Sequence, residues 1–183
     1  GCSVDAAREQ LQAMTDSQAG TLNWDCLDYW SHTLQLDIPT LKTDIEHLIR
    51  FRPRVEDFLR ELKQTSHRVV LTTNAHPKSL AIKLRNAPLA DYLDRIVSAH
   101  ELGFAKEQPG FWEALQALEP FDRERSALID DSLSVLDAAR QFGIRYLFAI
   151  VQPDSRQPPR PTGDFTPLDC FSRLLPVKGK DSA

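Results

Sequence analysis

The sequence predicts an α/β fold: a parallel sheet with helices on both faces, preceded by a small all-helical segment. Short apolar runs alternate with amphipathic helical patterns from residue 53 to residue 151. This alternation is typical of parallel strands joined by helices. The apolar runs are also unbroken, as expected for strands that are covered on both faces. The first fifty residues contain no comparable run, so we expect only helices there.

Residues 1–50 are predicted to form this helical segment. Apolar side chains recur there at three- and four-residue spacing, which places them on one face of a helix: Val4, Ala7, Leu11 and Met14. The next stretch, TLNWDCLDYWSHTLQL, has a similar spacing. Pro39 interrupts the pattern, and a third helix is expected over residues 40–50.

Residues 51–183 are predicted to form the α/β domain. Four strands are expected, at HRVVLTTNA, DRIVSA, SALID and RYLFAIV. Helices are expected to begin at Pro53, Pro77 and Pro109, because proline suits the first helical turn. Another helix should cover residues 132–142 and end at Gly143. The segment from residue 152 to residue 167 is rich in proline and polar side chains and is expected to be irregular, and LDCFSRLLP is expected to add a last short helix.

The composition is that of an ordinary soluble protein. Of the 183 residues, 42% are hydrophobic and 26% are charged, and the net charge is −4 at pH 7. A nucleic-acid-binding domain normally carries a basic face, so this balance argues against nucleic acid as a partner. The apolar runs are far shorter than the roughly 20 residues of a membrane span, and we recognise no secretory signal.

The three cysteines, Cys2, Cys26 and Cys170, are far apart in the sequence. Their number and spacing suggest neither a disulfide framework nor a metal site. Because free thiols persist in a reducing compartment, we expect a cytoplasmic protein. The sequence makes no prediction about oligomeric state.

Polar side chains stand at or after the ends of three predicted strands. Thr73 and Asn74 end the first, Asp130 and Asp131 end the third, and Lys106 lies in the loop after the second. Ligands of open parallel sheets bind beyond the carboxyl ends of the strands. We therefore expect these five side chains to lie close together.

These residue types suit phosphate chemistry. Two adjacent carboxylates are costly unless a cation neutralises them, and acidic oxygen ligands suit Mg²⁺. A hydroxyl and an amide at the start of a helix can donate hydrogen bonds to an anion, and a lysine supplies a positive charge for phosphate. The set predicts a phosphoryl-transfer site in which Asp130 and Asp131 bind Mg²⁺ and Thr73, Asn74 and Lys106 bind phosphate.

Each feature also has a simpler interpretation. Asp130 and Asp131 could cap the following helix, as could Ser132. Thr73 and Asn74 could be ordinary turn residues, and a single lysine is usually exposed surface. Their shared placement at the strand ends favours the metal and phosphate interpretation.

Three segments resemble the second, third and fourth motifs of the haloacid dehalogenase superfamily of phosphatases: VVLTTNA, AKEQPGFWEAL and ALIDDSLSVLDAARQFGI. The resemblance covers about residues 66–151 and implies a three-layer, Rossmann-like core. The helical segment before it resembles the mobile cap of that family. TLNWDCLDYW, TTNAHP and DAARQFGIRY are similar, more narrowly, to the bacterial GMP/IMP 5'-nucleotidase branch.

The resemblance implies a role for each strand-end residue. Thr73 matches the residue that hydrogen-bonds the transferring phosphoryl group, with Asn74 beside it. Lys106 matches the lysine that stabilises the negative charge of the nucleophile and the phosphate. Asp131 matches the acid that holds Mg²⁺, directly or through water, with Asp130 as its partner. The catalytic residues implied in this chain are therefore Thr73, Lys106 and Asp131.

The first motif of the family, an apolar strand ending in a DxDGT-type sequence, has no match in this chain. In the family its first aspartate attacks phosphorus and its second protonates the leaving group. Asp5, Asp16 and Asp25 lie in helical patterns and do not match these positions. We expect an enzyme whose nucleophile lies upstream of this sequence, so that these 183 residues alone are inactive. The alternative is a relative that has lost catalysis.

The leading hypothesis is a Mg²⁺-dependent phosphatase that acts on a purine nucleoside monophosphate, GMP or IMP, through an aspartyl-phosphate. The alternatives are a non-catalytic binding module with the same fold and a sugar-phosphate phosphatase or mutase. Trp24, Tyr29 and Trp30 are candidates to stack on a purine, although aromatic residues at helical spacing more often belong to the core. Asn23 and His76 are further candidates to face the cleft.

Overall fold

The computed structural model describes residues 3–177, so Cys2 lies outside the described residues. Its first part is helical, as predicted. The helices are α1 (Val4–Asp16), α2 (Leu22–Asp25), α3 (Leu27–Leu34) and α4 (Ile38–Asp44), followed by a 3-10 turn over Glu46–Leu48. The second predicted helix is therefore divided in two at Cys26.

Helix α4 begins earlier than the sequence predicts. Asp37 accepts a hydrogen bond from the backbone N–H of Thr40 at 3.2 Å and so caps the helix. Pro39 lies in the first turn, where its missing N–H would have had no helical partner. The proline therefore opens a helix instead of interrupting one.

The second part alternates strands and helices, and the four predicted strands are confirmed. The elements are α5 (Val55–Lys63), β1 (Val70–Thr73), α6 (Pro77–Asn86), β2 (Arg95–Ser98), α7 (Ala99–Leu102), α8 (Pro109–Leu118), β3 (Ala127–Asp130), α9 (Leu133–Phe142), β4 (Tyr146–Ile150) and β5 (Thr166–Leu168). Pro77 and Pro109 each begin a helix, and Gly143 ends α9 in the left-handed conformation. Helix α5 begins after Pro53, and a 3-10 turn over Phe171–Leu174 replaces the predicted last helix.

Strand β5 corrects the prediction of an irregular segment up to residue 167. It pairs in parallel with β4, with Pro167 opposite Ala149. Proline is tolerated in a strand at the edge of a sheet, and β5 is the last strand in its sheet. The pairing was not predictable because this short strand contains no apolar run.

All described strand pairs are parallel, as predicted, but they form two sheets. One has the order β1–β2 and the other β3–β4–β5. Within residues 3–177, β1 pairs with β2 alone and β3 pairs with β4 alone. Each of these two strands therefore has one edge without a strand partner in the described structure.

The hydrophobic core lies where α8 and α9 pack against the strands. Phe111, Trp112, Val135 and Leu136 are completely or almost completely buried. The same cluster includes Val97 of β2 and residues of β4, so it joins the two sheets. Strand β1, in contrast, is only half-buried along its length, as expected for a strand with an open edge.

Polar contacts connect the helical segment to the α/β part. Asp28 of α3 accepts from Lys78 of α6 at 2.6 Å, and Glu46 lies 3.5 Å from Arg85. Helix α4 packs on α6, where the Lys42 ammonium group donates to the Ser79 hydroxyl at 3.2 Å. Among the residues from 3 to 177, no helix combines the length and the apolar character that crossing a membrane requires.

Candidate active site

The end of β1 presents a hydroxyl group. Thr73 is the last residue of the strand and is half-buried. Its Oγ1 accepts a hydrogen bond from the backbone N–H of Ala75 at 3.1 Å. This bond fixes the side chain and uses the oxygen as an acceptor, so the hydroxyl proton can be donated to a ligand.

Asn74, the next residue, holds the loop that carries Lys106. Its Oδ1 accepts from the backbone N–H of Lys106 at 2.9 Å, and its Nδ2 donates to Glu107 at 2.9 Å. The amide group therefore uses both ends of its side chain within the protein. The structure places Asn74 as a connection between the end of β1 and the lysine loop.

Lys106 is a buried lysine and not the exposed surface residue of the simpler interpretation. Its residue exposure is 9%, and its Nζ donates to Oδ2 of Asp130 at 2.5 Å. The backbone carbonyl of Lys106 accepts from the Trp112 indole at 2.8 Å. The core helix α8 thus anchors the loop, and the ammonium group reaches from the β2 side of the molecule to the end of β3.

The two aspartates at the end of β3 have different environments. Asp130 is 8% exposed, and its Oδ1 accepts from the backbone N–H of Ser132 at 2.9 Å. Ser132 itself caps α9 through Val135. Asp131 is exposed, and within residues 3–177 its carboxylate has no hydrogen bond or ion pair. Asp131 is therefore not the cap of α9.

A cavity of about 500 Å³ brings the five predicted residues together. Its lining includes Thr73, Asn74, Lys106, Asp130 and Asp131. The helical segment closes another side of the same cavity with Ala19, Gly20, Thr21, Trp24 and Asp25. One polar cavity is thus lined by the carboxyl ends of β1 and β3 and by residues 19–25 of the helical segment.

Of the three aromatic candidates, Trp24 lines this cavity. Trp30 is buried and donates from its indole N–H to the Trp24 carbonyl at 3.0 Å. Tyr29 packs edge-on against Trp30 with ring centres 5.0 Å apart. These two rings are part of the helical packing, as the core interpretation of helical spacing predicts.

The other two cleft candidates contact protein groups outside the lining. Asn23 donates to the Gln18 side chain at 3.0 Å. The His76 ring lies 5.1 Å from the His100 ring and 3.6 Å from Asp28. Burial is the main cause that lowers the pKa of His76.

Sequence reasoning missed five polar residues of the lining. They are Thr21, Asp25, Lys83, Glu107 and Ser134. Glu107 and Ser134 lie within the motif segments AKEQPGFWEAL and ALIDDSLSVLDAARQFGI, next to residues with predicted roles. Thr21, Asp25 and Lys83 lie outside these segments, and their position depends on how the helical segment packs on α6, which the spacing of apolar residues does not specify.

Asp130 and Asp131 suit a Mg²⁺ ion that is held only partly by protein side chains. Within the described part of the chain, no group of three or more acidic, histidine or cysteine side chains converges. Proteins usually hold Mg²⁺ with one or two carboxylates, while water and substrate phosphate complete the octahedron. Asp131 is available for this role, whereas Asp130 is engaged by Lys106. The donor set therefore fits a cation that is shared with a phosphate.

The fold and the cavity define a class of protein: an α/β enzyme with a polar site at the carboxyl ends of parallel strands, covered by helices. The family model described as haloacid dehalogenase-like hydrolase matches residues 7–149. The chain therefore belongs to the haloacid dehalogenase-like hydrolase family.

Similar proteins agree with this assignment. The chain is 38% identical over 176 residues to a protein named GMP/IMP nucleotidase YrfG from Escherichia coli strain K12, covering 96% of this chain and 79% of that protein. The protein of the same name from Shigella flexneri has the same identity and coverage. The crystal structure of a HAD phosphatase from Thermococcus onnurineus is 20% identical and superposes with a TM-score of 0.77, covering 95% of this chain and 80% of that one. This last similarity supports the fold.

Proposed function

We propose that the protein is a Mg²⁺-dependent phosphatase that hydrolyses purine nucleoside 5'-monophosphates, GMP and IMP among them. The observation that carries the proposal is the single cavity lined by Thr73, Lys106 and Asp131. It combines a hydroxyl donor, a buried cation and an available carboxylate. The 38% identity to a protein named GMP/IMP nucleotidase supports the choice of substrate.

Each side chain would have a separate task. Thr73 donates its hydroxyl proton to an oxygen of the phosphoryl group. Lys106, held by Asp130 and Asn74, offsets negative charge that develops during transfer, which is the largest contribution in many enzymes of this kind. Asn74 acts here through the position of Lys106. Mg²⁺ bound at Asp131, with Asp130 beside it, would add positive charge next to the phosphate.

The proposed route passes through an aspartyl-phosphate. The attacking aspartate has no counterpart among the 183 residues, because the DxDGT-type motif is absent from them. We propose that a strand outside these residues supplies it. The open edges of β1 and β3 support this proposal, since a strand between them would end beside Thr73 and Asp130.

We further propose that residues 1–50 act as a cap and residues 51–183 as the catalytic domain. The cap would exclude water during transfer and select the leaving group. The side chains that it contributes to the cavity support this division. We also propose a cytoplasmic location, supported by the free cysteines Cys26 and Cys170, since thiols stay reduced there.

The test is a substrate screen with the protein expressed from its full natural reading frame. Release of inorganic phosphate would be measured from GMP, IMP, AMP, ribose 5-phosphate and p-nitrophenyl phosphate, with Mg²⁺ and with a chelator. Asp131→Asn should abolish the Mg²⁺-dependent turnover, because the metal loses its charged ligand. Asp44→Asn, on the exposed end of α4, is the matched control and should retain activity. Full turnover in Asp131→Asn would overturn the assignment of Asp131 as a metal ligand. A preference for ribose 5-phosphate over the nucleotides would show that the protein is a sugar-phosphate phosphatase and not a nucleotidase.

A further inference from the structure

Asp25 is a carboxylate that faces the cavity without a partner of its own. It ends helix α2 and is half-buried, and it lines the same space as Thr73 and Lys106. Within residues 3–177 it accepts no hydrogen bond and forms no ion pair within 4 Å. A half-buried acceptor without a donor costs stability, and a ligand that donates hydrogen bonds would remove that cost.

Burial is also the main cause that raises the pKa of Asp25, although the nearby ammonium groups of Lys83 and Lys42 act in the opposite direction. The negative charge of the ionised Asp25 carboxylate therefore lies where burial makes it unfavourable. Partly buried ionisable groups with such shifts are concentrated at functional sites. This supports a ligand-binding role for the carboxylate.

Trp24 adds an aromatic surface beside this carboxylate. It precedes Asp25 in α2, is 43% exposed and lines the cavity. Within the described residues its ring packs against no other aromatic ring, unlike Tyr29 and Trp30. An exposed indole beside a polar cavity offers a face on which a nucleobase can stack.

The volume of the cavity is that of a site for one small-molecule ligand. Its volume of about 500 Å³ lies within the range of small-molecule sites, roughly 300–1,000 Å³. The phosphate donors Thr73 and Lys106 come from the α/β part, whereas Trp24 and Asp25 come from the helical segment. A ligand with a phosphate at one end and a flat polar group at the other matches this arrangement.

We infer that Trp24 and Asp25 form the base-recognition subsite, in which the indole stacks on a purine and the Asp25 carboxylate accepts the N1–H hydrogen bond of a 6-oxopurine. The inference rests on the proposed function and extends it to the residues that choose the base. Guanine and hypoxanthine both carry a proton on N1, and guanine adds an amino group at position 2, which can donate a hydrogen bond to the second carboxylate oxygen. Adenine presents a lone pair at N1, which the carboxylate repels. The subsite should therefore favour 6-oxopurines over adenine.

The test compares Asp25→Asn with the matched variant Asp44→Asn in the protein made from its full reading frame. Hydrogen bonds to charged groups contribute about 1.5–3 kcal/mol, so Asp25→Asn should lower kcat/KM for IMP and GMP by about tenfold or more. Turnover of p-nitrophenyl phosphate, which has no base, should stay unchanged, and the preference for IMP over AMP should shrink. Trp24→Leu should weaken the binding of all the nucleotides. Trp24→Phe should lose less of that binding, because phenylalanine keeps a stacking surface.

A second measurement separates this inference from the proposed function. Equilibrium binding of guanosine, inosine and adenosine needs no phosphatase chemistry. Weaker guanosine binding in Asp25→Asn would support the subsite even if the protein hydrolysed no phosphomonoester. An active enzyme in which Asp25→Asn leaves the base preference unchanged, or lowers p-nitrophenyl phosphate turnover as much as IMP turnover, would overturn the inference and leave the phosphatase proposal in place.

Discussion

The buried pair of Lys106 and Asp130 combines a structural and a proposed catalytic role in one contact. Replacing Lys106 by Met removes the charge and keeps much of the length of the side chain. We expect turnover to fall about 10²-fold or more, the scale of a lost charge-stabilising group. We also expect the free energy of unfolding to fall by about 3 kcal/mol or more, because Asp130 is left buried without its cation.

The double variant Lys106→Met/Asp130→Asn separates these two effects. Both charges are then gone, so the free energy of unfolding should recover relative to the single variants, while activity stays low. Thermal and denaturant unfolding, measured beside initial rates, follow the two quantities. The exposed pair of Lys78 and Asp28 provides the control, since Lys78→Met should change stability little. Wild-type kinetics in Lys106→Met would contradict the assigned role.

Asp25 should make stability depend on pH. Burial raises its pKa above the ordinary value of 3.8, despite Lys83, Lys42 and His100, and Glu107 raises it further. A raised pKa means that the folded state disfavours the ionised form, so Asp25 lowers stability above its folded pKa and the cost disappears as pH falls below it. Asp25→Asn should therefore be more stable than the natural protein at pH 7, with a difference that shrinks on acidification. Unfolding curves between pH 7 and about pH 4 measure this, and a variant that is less stable at pH 7 would contradict it.

At the scale of elements, the sequence predicted what depends on local patterns. The four unbroken apolar runs form β1 to β4. As expected, Pro77 and Pro109 begin helices and Gly143 ends one. The strand ends could be identified because chain direction alone places Thr73 and Asp130 at one edge. Strand β5 and the position of Asp25 and Lys83 could not be predicted, because both depend on how separate elements pack. The division into two sheets could not be predicted either, because the pattern of a single strand does not specify which strands it pairs with.

The open edges of β1 and β3 predict how this stretch of chain behaves by itself. Unpaired strand edges expose backbone donors and acceptors that tend to pair with other chains. We expect residues 1–183 alone to lack phosphatase activity and to aggregate or unfold without a cooperative transition. A version extended through the upstream reading frame should be active and unfold cooperatively if that frame encodes the missing strand.

The comparison uses IMP and GMP hydrolysis, thermal unfolding and light scattering on both versions. A stable and active short chain would overturn the argument from the missing motif. A stable extended chain without activity would favour the non-catalytic binding module.

At the scale of the molecule, the proposed chemistry depends on three separate pieces. One sheet supplies Thr73, the other supplies Asp130 and Asp131, and the helical segment supplies Trp24 and Asp25. The buried core joins the two sheets. The helical segment is attached both by polar contacts with α6 and by Leu22, which packs against that core, and α1 has no buried residue.

The exposed ion pairs between the helical segment and α6 should respond to ionic strength. The contacts of Lys78 with Asp28 and of Arg85 with Glu46 are exposed ion pairs, and exposed charges are screened by dissolved salt. Between about 0.1 M and 1 M salt the screening length falls from about 10 Å to about 3 Å. Each exposed pair contributes little, so sodium chloride should loosen α3 and α4 from α6 only slightly while the apolar core holds. Hydrogen exchange at rising salt should report slightly faster opening of residues 22–48 and unchanged protection of α8 and α9, so that the salinity of the surroundings would slightly change how often the cavity opens.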